Sequence, residues 1–156
     1  FGPLLTLGTG FAIANETILL YSNEFYNLLL LGVPIGLLTT NILFINQYPD
    51  HASDKKVGKN HLVVLFGKKA SRWIYALNLI LALGSLYFIA ENILTGTKQM
   101  LFLYMLIPIT MFYSYFLLSG LFKYYNSRKL IKYNIHTIYF HMFFSFIYMV
   151  ILANFQ

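Results

Sequence analysis

The sequence contains no cysteine and few charged residues, and both shortages narrow what the chain can be. Without cysteine, disulfide bonds and thiolate metal sites are excluded. Charged residues make up 10% of the chain, against about 25% in soluble proteins, whereas hydrophobic residues make up 58% and the mean hydropathy is +0.65. This composition predicts a protein of the lipid bilayer.

The formal net charge of +6 does not indicate a nucleic-acid partner. A protein that binds DNA or RNA presents its basic residues on one soluble face. Here the Lys and Arg residues are placed between long apolar runs. We therefore interpret them as topology signals of a membrane protein and expect no nucleic acid to bind.

Five apolar runs have about the length needed to cross a hydrocarbon core of roughly 30 Å as helices. They predict an all-α, polytopic transmembrane helical bundle of about five spans. A shorter run, residues 61–66, is predicted to lie at the membrane surface or to pack as a cap. The predicted spans are residues 3–20, 25–45, 73–90, 100–122 (with a kink at Pro108) and 135–154.

The basic residues follow the second and the fourth predicted span, and only Lys98 lies between the third and the fourth. The positive-inside rule then places both basic connections in the cytoplasm. We therefore expect an integral protein of the cytoplasmic (inner) membrane, with its N-terminal end inside and its C-terminal end outside.

The most polar segment of the chain is residues 46–59, NQYPDHASDKKVGK, which holds both of its aspartates. Asp50 and Asp54 are four residues apart, so on a helix their carboxylates lie on one face and can converge on a cation. The lysines that follow, Lys55 and Lys59 among them, supply positive charge for an anion. An ordinary solvated loop accounts for the charge pattern equally well.

Asn46 precedes Asp50 by four residues and Asp54 by eight, so all three share one helical stripe if the helix is continuous. Pro49 complicates this, because it predicts a kink or a new helix start that would make Asp50 an early-turn residue. Asn46 is then either a helix-end cap or a contact for substrate or metal.

The longer string NQYPDHASDKKVGKNHLVVLFG resembles the second aspartate-rich motif of the UbiA family of intramembrane aromatic prenyltransferases. In that motif an Asn leads into D-x-x-x-D, then Gly-Lys, a short apolar run and a Gly. The resemblance is closest to the branch that prenylates 1,4-dihydroxy-2-naphthoate for menaquinone. The matching positions are Asn46, Asp50, Asp54, Gly58, Lys59, Leu62 and Gly67.

The resemblance implies Mg²⁺-dependent transfer of a polyprenyl group from polyprenyl diphosphate to an aromatic acceptor. Asp50 and Asp54 would be the catalytic metal ligands, as the preference of Mg²⁺ for carboxylate oxygens allows. Lys59, Lys55 and Asn46 would bind the diphosphate. Other acceptors, such as 4-hydroxybenzoate, haem or a tetrapyrrole, stay open, and so does a non-catalytic membrane protein or transporter.

The resemblance implies a bundle of nine transmembrane helices with two aspartate-rich motifs. The first of these motifs reads N-D-x-x-D-x-x-x-D. That first motif is missing from this sequence. Residues 1–156 therefore resemble the C-terminal part of such a bundle, helices five to nine, and are expected to form a single domain. Within it, residues 46–72 are expected to form a cytoplasmic loop and cap. We expect this part to be inactive alone.

The histidines do not form a recognisable catalytic or metal-binding pattern. His136 and His141 are five residues apart and so point to different helix faces, which argues against a shared haem. Packed or interfacial histidines are the expectation. His51 and His61 lie in or beside the polar segment without a recognisable arrangement.

Overall fold

A computed structural model describes residue 4 and residues 22–154, and these residues form helices without any strand. Four stretches of the described residues are long and apolar enough to span a membrane, and the first of them is Asn23–Lys56. The all-α transmembrane class is confirmed. The second to fourth predicted spans each lie inside one of these stretches, and the fifth, 135–154, matches the last stretch up to residue 153. The first predicted span, 3–20, falls outside the described residues except for residue 4. The helices are α1 (Asn23–Leu31), α2 (Val33–Lys56), α3 (Leu62–Asn92), α4 (Thr97–Tyr124) and α5 (Leu130–Asn154).

The first span begins at a polar cap and is divided into two helices at a glycine. The Ser22 side chain accepts a hydrogen bond from the Phe25 N–H, which satisfies one of the orphan donors at a helix start. Gly32 separates α1 from α2, and Pro34 follows in the first turn of α2, where a missing N–H costs nothing. At 1.5 Å per residue the 34-residue span is about 50 Å long. Its polar end therefore extends beyond a hydrocarbon core of about 30 Å.

The four long helices form a ring in which each packs on two neighbours: α2 on α3 and α5, and α4 on α3 and α5. Tyr48, Tyr75, Phe144 and Tyr148 are the largest side chains in the shared core. Because the connections are short, neighbouring helices alternate in direction. The α2–α3 and α4–α5 connections therefore meet at one end, which we call the basic end, while Lys98 is at the other.

The start of α3 explains the short apolar run that precedes the third predicted span. Residues 62–66 are helical, but Gly67 has φ of +76° and interrupts the helix before the span proper. Leu65 and Phe66 are exposed, whereas Val63 is buried against the bundle. Most of 46–72, which we expected to be a loop and cap, is thus helical, with a connection only at 57–61.

Several polar side chains inside the bundle form a hydrogen-bonded network. Asn78 Nδ2 donates to Asn41 Oδ1 at 2.9 Å, and Asn41 Nδ2 donates to the carbonyl oxygen of Tyr75 at 3.2 Å. The Tyr75 hydroxyl in turn lies 2.9 Å from Thr137 Oγ1. Because unpaired polar groups are costly in a bilayer, this network fixes how α2, α3 and α5 fit together.

Both histidines of α5 are partly buried and hydrogen-bonded within the bundle, which agrees with the packed or interfacial positions that we expected. His136 Nδ1 lies 3.0 Å from the Tyr113 hydroxyl, and His141 Nε2 lies 2.9 Å from Thr39 Oγ1. Each therefore joins α5 to a different neighbouring helix.

Candidate functional site

Helix α2 runs without interruption through Pro49 to Lys56. Asn46, Asp50 and Asp54 therefore share one face at intervals of four residues, and we call them the carboxylate stripe. The expected restart at Pro49 is wrong, and so is the placement of Asp50 in an early helical turn. Asn46 lies inside the helix and is not an end cap. Packing explains this, because the buried residues on the other side of α2 hold the helix across the proline.

The carboxylate stripe lies on the face of α2 that the bundle does not cover. Leu38, Asn41 and Tyr48 are buried on the packed face, whereas Asn46 and Asp50 are exposed. At 100° per residue, Tyr48 lies about 160° around the helix from Asp50. Asp50 thus points away from the helix ring and is open to a ligand or to another segment. The two ends of the stripe have partners, since Asn46 contacts Asn134 of α5 and Asp54 contacts Lys59 and His61.

Asp54 is the one carboxylate of the stripe with direct side-chain partners in the described part of the chain. Lys59 Nζ lies 2.8 Å from its Oδ1, and His61 Nε2 lies 3.0 Å from its Oδ2. The Asp54 side chain is 14% exposed, against 65% for Lys59. The hydrogen bond to this carboxylate raises the pKa of Lys59, which keeps the ammonium group charged.

A glycine turn brings Lys59 back to Asp54. Gly58 has φ of +75°, and its N–H donates to the carbonyl oxygen of Lys55 at 3.3 Å. The N–H of Lys59 donates to the carbonyl oxygen of Asp54 at 3.0 Å. These two bonds define a Schellman motif, in which glycine is favoured because a side chain is strained at positive φ. The Gly-Lys pair of the sequence motif therefore has a structural reason.

His61 is the functional candidate that the sequence reasoning missed. Its Nδ1 accepts a hydrogen bond from the Val64 N–H at 3.4 Å and so caps the first turn of α3. With Nδ1 acting as acceptor, the proton is on Nε2, which donates to Asp54. The sequence signal that could have identified His61 is its position directly before an apolar helical run, where a capping residue is expected.

The position of the two aspartates is unfavourable for the helix itself. Both lie in the last two turns of α2, where the partial negative charge of the helix end disfavours carboxylates. Lys59 and His61 offset this for Asp54, and the charge of Asp50 also acts on Lys59. Asp50 is exposed and makes no hydrogen bond or ion pair through its side chain within 22–154. Its carboxylate is thus available to a cation.

Asn46 and Lys55, the other two predicted site residues, differ in their position relative to the aspartates. Asn46 Oδ1 accepts a hydrogen bond from Asn134 Nδ2 at 3.2 Å, so α5 holds one end of the stripe. Lys55 is exposed and lies about 140° around the helix from Asp50. The structure therefore does not bring Lys55 to the carboxylate stripe.

The donor set suits a metal ion that also binds substrate oxygens. No group of three or more His, Asp or Glu side chains within the described residues is placed to hold a metal ion on its own. Two carboxylates with Lys59 nearby instead match the usual Mg²⁺ arrangement, in which one or two carboxylates and substrate phosphates share the ion.

The fold and the stripe together define a membrane-spanning helical bundle with an open acidic face next to basic connections. A family model described as the UbiA prenyltransferase family matches residues 1–150, and the chain belongs to this family. No curated protein and no solved structure matches the chain. The resemblance is thus confirmed for the family, whose members are prenyltransferases, whereas the 1,4-dihydroxy-2-naphthoate branch stays a prediction.

Proposed function

We propose that the carboxylate stripe binds a polyprenyl diphosphate together with Mg²⁺, and that the prenyl group passes to an aromatic acceptor. The observation that carries this proposal is the uncovered face of α2, which presents the exposed Asp50 beside the Asp54–Lys59 ion pair. Family membership supplies the reaction type.

Asp50 and Asp54 are the residues that would hold Mg²⁺. Asp50 offers both carboxylate oxygens, and Asp54 keeps lone pairs beyond those used by Lys59 and His61, because a carboxylate has about four acceptor sites. When bound, the ion neutralises the negative charge that the diphosphate gains as the allylic C–O bond breaks.

Lys59 and Asn46 would position the diphosphate from the two ends of the stripe. Lys59 is largely exposed and stays protonated, so its ammonium group can turn from Asp54 towards a diphosphate oxygen. The Asn46 amide is held by Asn134 and is therefore ordered before the substrate arrives. Lys55 contributes general positive charge at the same helix end.

The acceptor that we propose is 1,4-dihydroxy-2-naphthoate, as in menaquinone biosynthesis. This choice rests on the resemblance of the string at 46–67 to that branch of the family. A panel that also contains 4-hydroxybenzoate discriminates between the branches, because each acceptor gives a prenylated product of different mass.

We propose that the stripe faces the cytoplasm from the cytoplasmic membrane. Support comes from the bundle, in which the connections that carry most of the basic residues share one end with Asp50 and Asp54. The positive-inside rule places such an end in the cytoplasm. Labelling of a single cysteine introduced at Ser127 in intact cells tests this, because the native sequence has none.

The proposed function is tested by measuring turnover of the full-length protein in lipid nanodiscs, with and without Mg²⁺. Asp50→Asn and Asp54→Asn each remove one carboxylate charge with little change in shape, and we expect at least a hundredfold loss of turnover, on the order of 2.7 kcal/mol. Glu24→Gln, at an exposed carboxylate of α1, is the matched control and should retain activity. Unchanged turnover in both aspartate variants would sink the proposed site.

We also propose that residues 1–156 do not complete the metal site alone. Asp50 and Asp54 are the only aspartates in the sequence, whereas the resemblance implies a second motif facing them. The purified 156-residue chain should bind polyprenyl diphosphate weakly and show no turnover. Turnover by this chain at the rate of a chain that carries both aspartate-rich motifs would contradict the proposal.

A further inference from the structure

The basic end of the bundle carries a second recess that the carboxylate stripe does not use. Two adjoining cavities of about 380 and 450 Å³ lie between the end of α2, the start of α3 and the α4–α5 connection. Both are lined by Lys68, Tyr125 and Asn126, so they form two halves of one recess. We call this recess the basic basin.

The basic basin is separate from the proposed diphosphate site. Tyr48 lines the basin from α2, and it lies about 160° around that helix from Asp50. Pro49 and His51, each about 100° around α2 from Asp50, also line the basin, and its other walls come from α3, the α4–α5 connection and the start of α5. A ligand in the basin is therefore on the opposite side of α2 from the carboxylate stripe, and the inference does not depend on the proposed function.

The charges around the basin have one sign. Lys68, Lys69 and Arg128 line it, and within the described part of the chain no Asp or Glu does so. Arg72 lies directly behind, with its guanidinium carbon 4.2 Å from the centre of the Tyr125 ring. Such a recess attracts an anion and repels cations.

Tyr48, one of the residues that line the basin, provides an independent reason to expect a ligand. Tyr48 is 0% exposed, and its hydroxyl has no hydrogen-bond partner among the described residues. A buried polar group without a partner is costly, so native structures usually pair it. An anion oxygen in the basin would accept this hydrogen bond.

The surroundings favour an anion that carries hydrocarbon chains. Phe66, which is 58% exposed, lines the larger of the two cavities. Ile131, which is 50% exposed, lines the smaller one. Apolar side chains beside cations at the end of membrane-spanning helices match the boundary between lipid headgroups and acyl chains. We propose that the basic basin binds the phosphate group of an anionic phospholipid.

Native mass spectrometry of the full-length protein tests this by counting retained lipids. Phosphatidylglycerol should be retained in preference to phosphatidylcholine with the same acyl chains. Lys68→Gln combined with Arg128→Gln should weaken phosphatidylglycerol binding about thirtyfold, because each of the two interfacial cations contributes roughly 1 kcal/mol. Lys56→Gln combined with Lys98→Gln removes the same net charge from exposed positions outside the basin and should leave retention unchanged.

Tyr48→Phe separates ligand binding from folding, because it removes only the hydroxyl. Without lipid its melting temperature should equal or exceed that of the native protein, and added phosphatidylglycerol should stabilise it less. Equal retention of both lipids, or full retention by the Lys68→Gln, Arg128→Gln variant, would overturn the proposal. Displacement of phosphatidylglycerol by millimolar inorganic phosphate would also overturn it, since the ligand is then a soluble phosphate.

Discussion

Nε2 of His61 lies 3.0 Å from Oδ2 of Asp54, seven residues earlier, and this one imidazole joins the carboxylate stripe to the first turn of α3. Its two nitrogens have different tasks, because Nδ1 caps the helix while Nε2 holds the carboxylate. The geometry of the candidate site is therefore coupled to the packing of α3.

Two substitutions at His61 separate these tasks. His61→Ala removes both bonds, and the lost cap should lower the free energy of unfolding by about 1 kcal/mol. Asn is a favoured capping residue but is too short to reach Asp54, so His61→Asn should restore most of the stability. Thermal unfolding and prenyl transfer measured on both variants check this. We expect the two variants to lose a similar share of turnover; full activity in His61→Asn would show that the Asp54 contact is dispensable.

Gly58→Ala tests the turn that returns Lys59 to Asp54. No atom lies within 4 Å of a Cβ added at Gly58, so the cost arises from its φ of +75° and should be about 1 kcal/mol. Turnover should fall as well, because the Lys59 ammonium group loses its position. Gly84→Ala is the matched control, since it adds a methyl group in equally open space at a helical glycine and should be neutral or slightly stabilising. Equal melting temperatures for the two variants would contradict this account.

The close approach of α4 and α5 depends on Gly120. A Cβ at this position would lie 1.9 Å from the Tyr133 ring, which leaves no space for a methyl group. Gly120→Ala should therefore destabilise the bundle by about 1–3 kcal/mol, the usual cost of overpacking. Thermal unfolding in detergent measures the loss. Adding Tyr133→Leu should recover part of it, whereas an additive loss in the double variant would argue against a clash with Tyr133.

We expect Asn134 to affect binding of the prenyl diphosphate through its contact with Asn46. Their side chains lie 3.2 Å apart, and Asn134 is 8% exposed on α5, outside the carboxylate stripe. We expect Asn134→Ala to raise KM for the prenyl diphosphate about as much as Asn46→Ala does, while kcat changes less. The double variant should be no worse than either single variant, because both changes disrupt one interaction. Additive effects in this cycle would show that the two residues act independently.

Sequence patterns predicted those features of the fold that depend on local composition and periodicity. The runs at 25–45, 73–90, 100–122 and 135–154 are helical because spanning a bilayer requires that backbone groups pair within one segment. Pro49 shows the limit of local rules. In isolation it favours a helix boundary, but Tyr48 and its neighbours on the packed face hold α2 together across it.

By itself, the sequence determined that this chain spans a membrane, that its two aspartates lie in one polar segment, and which family the string at 46–67 resembles. Only the tertiary structure decided which face of α2 is covered, since that depends on how α3 and α5 pack against it. It also decided that His61 contacts Asp54 and that Lys55 lies away from the stripe. These relationships depend on a turn and on helix packing, which periodicity alone does not specify.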